Sequence, residues 1–153
     1  MKNFGLATSI FALLIASAEA QLVSKPDVDP YGVKFTKAMQ VLKCAAYASQ
    51  GNTSIRQHQE WMLPYGNRLF RELWEASKRG EIKEKELAGF IKDFRKMPSA
   101  DFVAGLTFGG FLEEAETDIR TKAGEHDDGW LNRRNSLAEI QFNKMFCRGI
   151  KED

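Results

Sequence analysis

Glu125-His126-Asp127-Asp128 is the run of this sequence whose residue types most readily do chemistry. An imidazole beside carboxylates can act as a general base or as a metal ligand. A metal site needs three or four convergent ligands, and the only other histidine, His58, lies far away along the chain. Acidic residues also suit a helix start, where a carboxylate accepts hydrogen bonds from free backbone N–H groups. We read Asp127 or Asp128 as capping the last helix.

A second group of carboxylates comes from Glu113, Glu114, Glu116 and Asp118. Glu114 and Asp118 are four apart and share a helix face, and paired carboxylates can do glycosidic acid–base work. With His126 they form a candidate polar site. A charge run on an amphipathic helix is more commonly its solvated face. Trp61, Pro64 and Tyr65 form the candidate partner surface, because aromatics flanking a proline break can line a groove. Gly105 and Gly109, four apart, would let another helix of the fold approach closely. The chain has no glycine-rich phosphate loop, no serine nucleophile elbow and no zinc-ligand spacing. No catalytic residue, metal ion or cofactor is therefore assigned.

The elements that must position these residues begin after an export signal. Lys2 precedes a mostly apolar run from Leu6 to Ala18, and Ala18-Glu19-Ala20 has the form of a cleavage site. Residues 1–20 read as a cleaved signal peptide, with Gln21 as the mature N-terminus. The run is short for a membrane span, and no comparable stretch follows, so no stable membrane insertion is expected after cleavage. The protein is expected to be exported, to the periplasm in a Gram-negative cell and otherwise to the medium. That compartment lets Cys44 and Cys147 form a disulfide. With 22 Lys and Arg against 21 Asp and Glu the net charge is +1, which argues against a nucleic-acid partner.

Residues 21–32, with Pro26 and Pro30, read as an extended leader. Apolar residues then recur at helical spacing. The first helix runs from about Gly32 to Gln50, with Val33, Phe35, Met39, Leu42, Ala46 and Tyr47 facing the core. Asn52-Thr53-Ser54 caps a second helix that reaches about Arg79 and is split at Leu63-Pro64, since an internal proline removes a hydrogen bond. A third spans about Lys83 to Arg95, its apolar face formed by Leu87, Phe90, Ile91 and Phe94. Ser99 caps a fourth, from about Ala100 to Ala123, whose core face includes Phe102, Val103, Leu106, Phe111, Leu112, Ala115 and Ile119. The last runs from about Trp130 to Arg148 and buries Leu131, Leu137, Ile140, Phe142, Met145 and Phe146. Sustained two-residue alternation is absent. The expected fold is all-α: a single compact bundle of five to six helices over 33–149, stapled by the Cys44–Cys147 disulfide, with a flexible tail at 150–153.

Lys43-Cys44-Ala45-Ala46-Tyr47-Ala48 with Gly51-Asn52, and Pro98-Ser99-Ala100-Asp101-Phe102-Val103-Ala104-Gly105, resemble segments of small uncharacterised exported helical proteins of proteobacteria and their phages. The resemblance implies periplasmic residence and a helical fold, and brings no assigned activity. The functional expectation is a non-enzymatic interaction protein whose partner is another envelope protein, in the manner of an inhibitor, an immunity protein or a regulator of phage lysis or exclusion. The alternative is a small hydrolase or a helical protein that binds lipid or another small molecule.

Overall fold

Local capping chemistry sets where each helix begins. In the computed structural model, which describes residues 29–82, 96–124 and 126–152, Asp29 accepts hydrogen bonds from the N–H groups of Tyr31 (3.0 Å) and Gly32 (2.8 Å). Pro30, whose fixed φ suits a first helical position, therefore starts α1 (Pro30–Ser49). The end of the expected leader, from Pro30 on, is thus helix. Asn52 caps α2 (Thr53–Lys78) through the Ser54 N–H, and Ser99 caps α3 (Ala100–Ala123) through the Phe102 N–H. α4 (Trp130–Lys144) is followed by a 3-10 turn, Cys147–Gly149. Among the described residues there are four α-helices and no strand. The signal segment, most of the leader, the expected helix over 83–95 and Glu125 lie outside the described residues.

The count of five to six helices also assumed a break at Pro64, and α2 runs through it without one. The proline removes the bond to the Glu60 carbonyl. Glu60 and Pro64 are both exposed, so water can satisfy that carbonyl. The other side of the same helix buries Met62, Tyr65, Gly66, Leu69, Phe70 and Leu73, and that packing keeps the helix continuous through a residue that would break it in isolation.

α1 lies at the centre, touching α2, α3 and α4. From Val41 to Ala48 only Lys43 is not buried, as a helix apolar all round must be. Its alanines let neighbours approach closely. Gly66 of α2 does the same: a Cβ there would lie 2.4 Å from Leu42 Cδ2. Cys44 and Cys147 are both fully buried and disulfide-paired, with Cα atoms 5.7 Å apart. The bond closes 103 residues of sequence separation, tying the central helix to the end of the chain.

Several expected core positions are on the surface instead. Val33, Phe102, Leu106, Leu131, Ile140 and Phe146 are exposed: the first five lie on helix sides that no described neighbour covers, and Phe146 lies in the turn after α4. The last helix stops at Lys144 rather than Arg148, since Phe146 takes a left-handed backbone conformation (φ 57°) and turns Cys147 inward toward α1. The expected fraying tail is tied down at least to residue 152. Ile150 packs against the core and Glu152 pairs with Arg68 at 3.3 Å.

Candidate functional site

The first candidate, the polar set, does not assemble. Glu114 and Asp118 lie on α3 and line an open groove of about 630 Å³ with Tyr47, Glu113 and Thr117. Lys43 Nζ lies 2.7 Å from Glu114 and Lys122 Nζ lies 2.6 Å from Asp118. The Tyr47 hydroxyl donates to Asp118 Oδ2 at 3.4 Å. Burial, then the Asp118 and Glu114 carboxylates, push its pKa up to about 12, so the phenol stays protonated and acts as a donor. The groove has carboxylates matched by lysines and no apolar pocket to hold one of them as an acid.

His126 is not among its lining residues. It is exposed, beyond Gly124, with its ring stacked on Trp130 at 3.8 Å between centroids. Neither Asp127 nor Asp128 caps the last helix as expected: the cap position of α4 is Gly129, with no side-chain hydrogen bond, and Asp127 is a turn residue whose carboxylate accepts from the Gly129 N–H at 2.9 Å and pairs with Arg133 at 2.9 Å. The Arg133 hydrogen bond, then the Gly129 N–H, hold its pKa below the usual carboxylate range. Among the described residues no group of His, Cys, Asp or Glu side chains could hold a metal ion.

The second candidate, Trp61, Pro64 and Tyr65, is only partly on the surface. Pro64 is exposed and Trp61 half-buried. Tyr65 is 2 % exposed and belongs to the core, with the Lys37 ammonium 5.3 Å and the Arg68 guanidinium 5.0 Å from its ring centroid. Trp61 Nε1 donates to His58 Nδ1 at 3.4 Å. These aromatics fasten α2 in place and do not form an open aromatic patch.

A third surface is one that the apolar pattern hid. Phe102, Leu106, Gly109 and Glu113 recur every three or four residues and so share a face of α3. Phe102 is 49 % and Leu106 57 % exposed. Gly105 and Gly109 were expected to admit a neighbouring helix of the bundle. Among the described residues no helix does so: a Cβ built on either of them, or on adjacent Gly110, meets nothing within 4 Å. The opposite side of α3, through Val103, Ala104, Ala115 and Ile119, makes the core contacts.

The signal was present in the sequence. Phe102 and Leu106 share their register with Gly109 and Glu113, whereas Ala104, Phe111 and Ala115 follow another. Counting every apolar residue as core merged the two faces. What the outer face offers is an apolar end, a stretch of bare helix backbone and an acidic end at Glu113. That is the make-up of a docking surface rather than of a reaction site.

No family model, curated protein or solved structure matches this chain. No helix among the described residues is long and apolar enough to cross a membrane.

Proposed function

We propose that this is an exported, non-enzymatic interaction protein of the cell envelope that acts by docking another protein. The class includes inhibitors, immunity proteins and regulators of phage lysis or exclusion. The observation that carries the reading is the outer face of α3, where exposed Phe102 and Leu106 lie beside glycines that packing among the described residues does not require. Each helix-interior glycine costs about 1 kcal/mol relative to alanine. Three in one helix are a local cost without a local return, and a partner backbone crossing there would supply the return. The carboxylates that would serve a hydrolase are met by lysines in an open groove, which supports binding over catalysis.

The test pairs localisation with binding. N-terminal sequencing of protein recovered from the periplasm should begin at Gln21, and an intact Met1 in the cytosol would remove the export half of the proposal. Affinity capture from the native envelope should then yield one stoichiometric partner with the wild type and lose it with Gly109→Leu. The leucine projects into open space, so the variant should fold normally. Equal capture by both would eliminate the α3 face.

A further inference from the structure

Glu113 is the residue at which two surfaces of α3 meet. It shares a face with Phe102, Leu106 and Gly109, and it also lines the open groove of about 630 Å³ beside Tyr47 of α1. Gly110 lines that groove too, and Gly105, Gly109 and Gly110 are all exposed. Outer face and groove therefore form one continuous strip. It is apolar at Phe102 and Leu106, bare backbone at the glycines, and acidic from Glu113 onward. From Phe102 to Glu113 the strip runs about 16 Å along the helix axis.

The charge of this strip is not balanced from within. Lys43 holds Glu114 and Lys122 holds Asp118. Further along the outer face, Arg120 holds Glu116 at 2.8 Å. Glu113 is left over: its side chain is exposed and makes no hydrogen bond or ion pair among the described residues. The groove is lined by Glu113, Glu114 and Asp118 and by no cationic side chain. Tyr47 feels that negative potential, since burial and then the Asp118 and Glu114 carboxylates push its pKa up to about 12. Two large apolar side chains and one carboxylate thus face water along one strip, and nothing described in the chain meets any of them.

We propose that the occupant of this strip is a basic amphipathic helix of the partner protein, an inference that rests on the docking role given above to α3. The apolar side of that helix packs on Phe102 and Leu106, and its backbone crosses close over Gly105 and Gly109. An Arg or Lys about three turns along reaches Glu113. Charge complementarity selects this occupant. An acidic segment or an anionic lipid surface would bring like charge to the unpaired carboxylate. A second copy laid α3 to α3 brings no unpaired cation, because Arg120 and Lys122, the cations of that helix, are held by Glu116 and Asp118. The apolar contacts supply affinity, and the charge sets specificity and direction.

The experiment uses the mature, disulfide-bonded chain and two sets of labelled helical peptides of about 18 residues, long enough to cover the strip. Both sets carry Leu and Phe on one side. The first has Lys and Arg on the other side, and the second has Glu in their place. Fluorescence anisotropy should show binding of the basic set, weakened by added salt, and no binding of the acidic set. Glu113→Lys should weaken the basic set about tenfold, and Gly109→Leu should abolish its binding. Both variants should fold as the wild type does by circular dichroism, since both positions are exposed. Failure of the basic set to bind, equal binding of the acidic set, or equal affinity in Glu113→Lys would overturn the cationic occupant. Envelope capture separates that failure from failure of the docking reading. A partner lost with Gly109→Leu but kept by Glu113→Lys would retain the α3 face and overturn the charge selection, whereas capture unmoved by either would remove the face itself. Binding to phosphatidylglycerol vesicles that Gly109→Leu abolishes would replace the partner helix with a lipid surface. Sedimentation showing self-association that Gly109→Leu abolishes would replace it with a second copy of this chain.

Discussion

Glycine means opposite things in two regions of this molecule. In the seam between α1 and α2, Gly66 is required: a Cβ would lie 2.4 Å from Leu42 Cδ2 and 3.5 Å from Val41 Cγ1, both on buried residues. At the turn into α2, Gly51 is equally confined, with Ile55 Cδ1 2.1 Å from where its Cβ would be. On the outer face of α3, Gly105, Gly109 and Gly110 have nothing within 4 Å among the described residues. The seam glycines increase contact within the fold, whereas the α3 glycines only weaken their helix. A residue with no internal explanation points outward, and the same holds for Phe102, Leu106 and Phe146. The two regions can be separated by experiment because their substitutions should move stability in opposite directions.

The largest effect should come from the covalent anchor that ties α1 to the turn after α4. Replacing Cys44 and Cys147 together by alanine should cost about 2–5 kcal/mol in denaturant unfolding, since the bond closes a long loop of the unfolded chain. A loss below that range would mean that packing alone fixes the end of α4. Next, Gly66→Ala should destabilise by about 1–3 kcal/mol, overpacking against Leu42 outweighing the gain in helix propensity. A stabilised Gly66→Ala protein would erase the contrast between the two regions. Gly109→Ala should move the other way, raising stability by up to about 1 kcal/mol while weakening partner capture. A destabilised Gly109→Ala protein would show that the α3 face is packed in solution.

The smallest effect is a pH dependence confined to the packed side. Burial, then Arg148, lowers the His58 pKa below its ordinary 6.5, so the folded state favours neutral imidazole more than the unfolded chain does. That contribution is complete above pH 6.5 and is lost as pH falls through the lowered value. NMR titration should place the His58 midpoint below the ordinary 6.5, and His58→Gln should flatten the acid side of the stability curve. A His58 midpoint at or above 6.5 would contradict the burial.

The helix starts were legible because capping is local. Ser99 before Ala100 and Asn52 before Thr53 sit where their side chains reach backbone N–H groups two or three residues on. Gly124 after α3 reads as a stop for the same reason and has the expected positive φ of 76°. Pro64 misled because its cost depends on which side of the helix faces water, and Phe146 misled because helical spacing cannot foresee a turn imposed by a disulfide partner. The candidate site was harder still. Glu114, Asp118 and His126 looked alike as a polar set, but only the first two line one groove.

By itself the sequence determined the all-helical class and the starts at Thr53 and Ala100, because these depend on short-range periodicity and on caps, and it left Cys44 and Cys147 only one another to pair with inside the chain. Only the tertiary structure decided that α2 runs unbroken through Pro64, that Tyr65 is core, and that Phe102, Leu106 and Phe146 are not. Those outcomes depend on which faces of neighbouring helices meet, and a linear pattern records that a residue is apolar without recording whether anything lies opposite it.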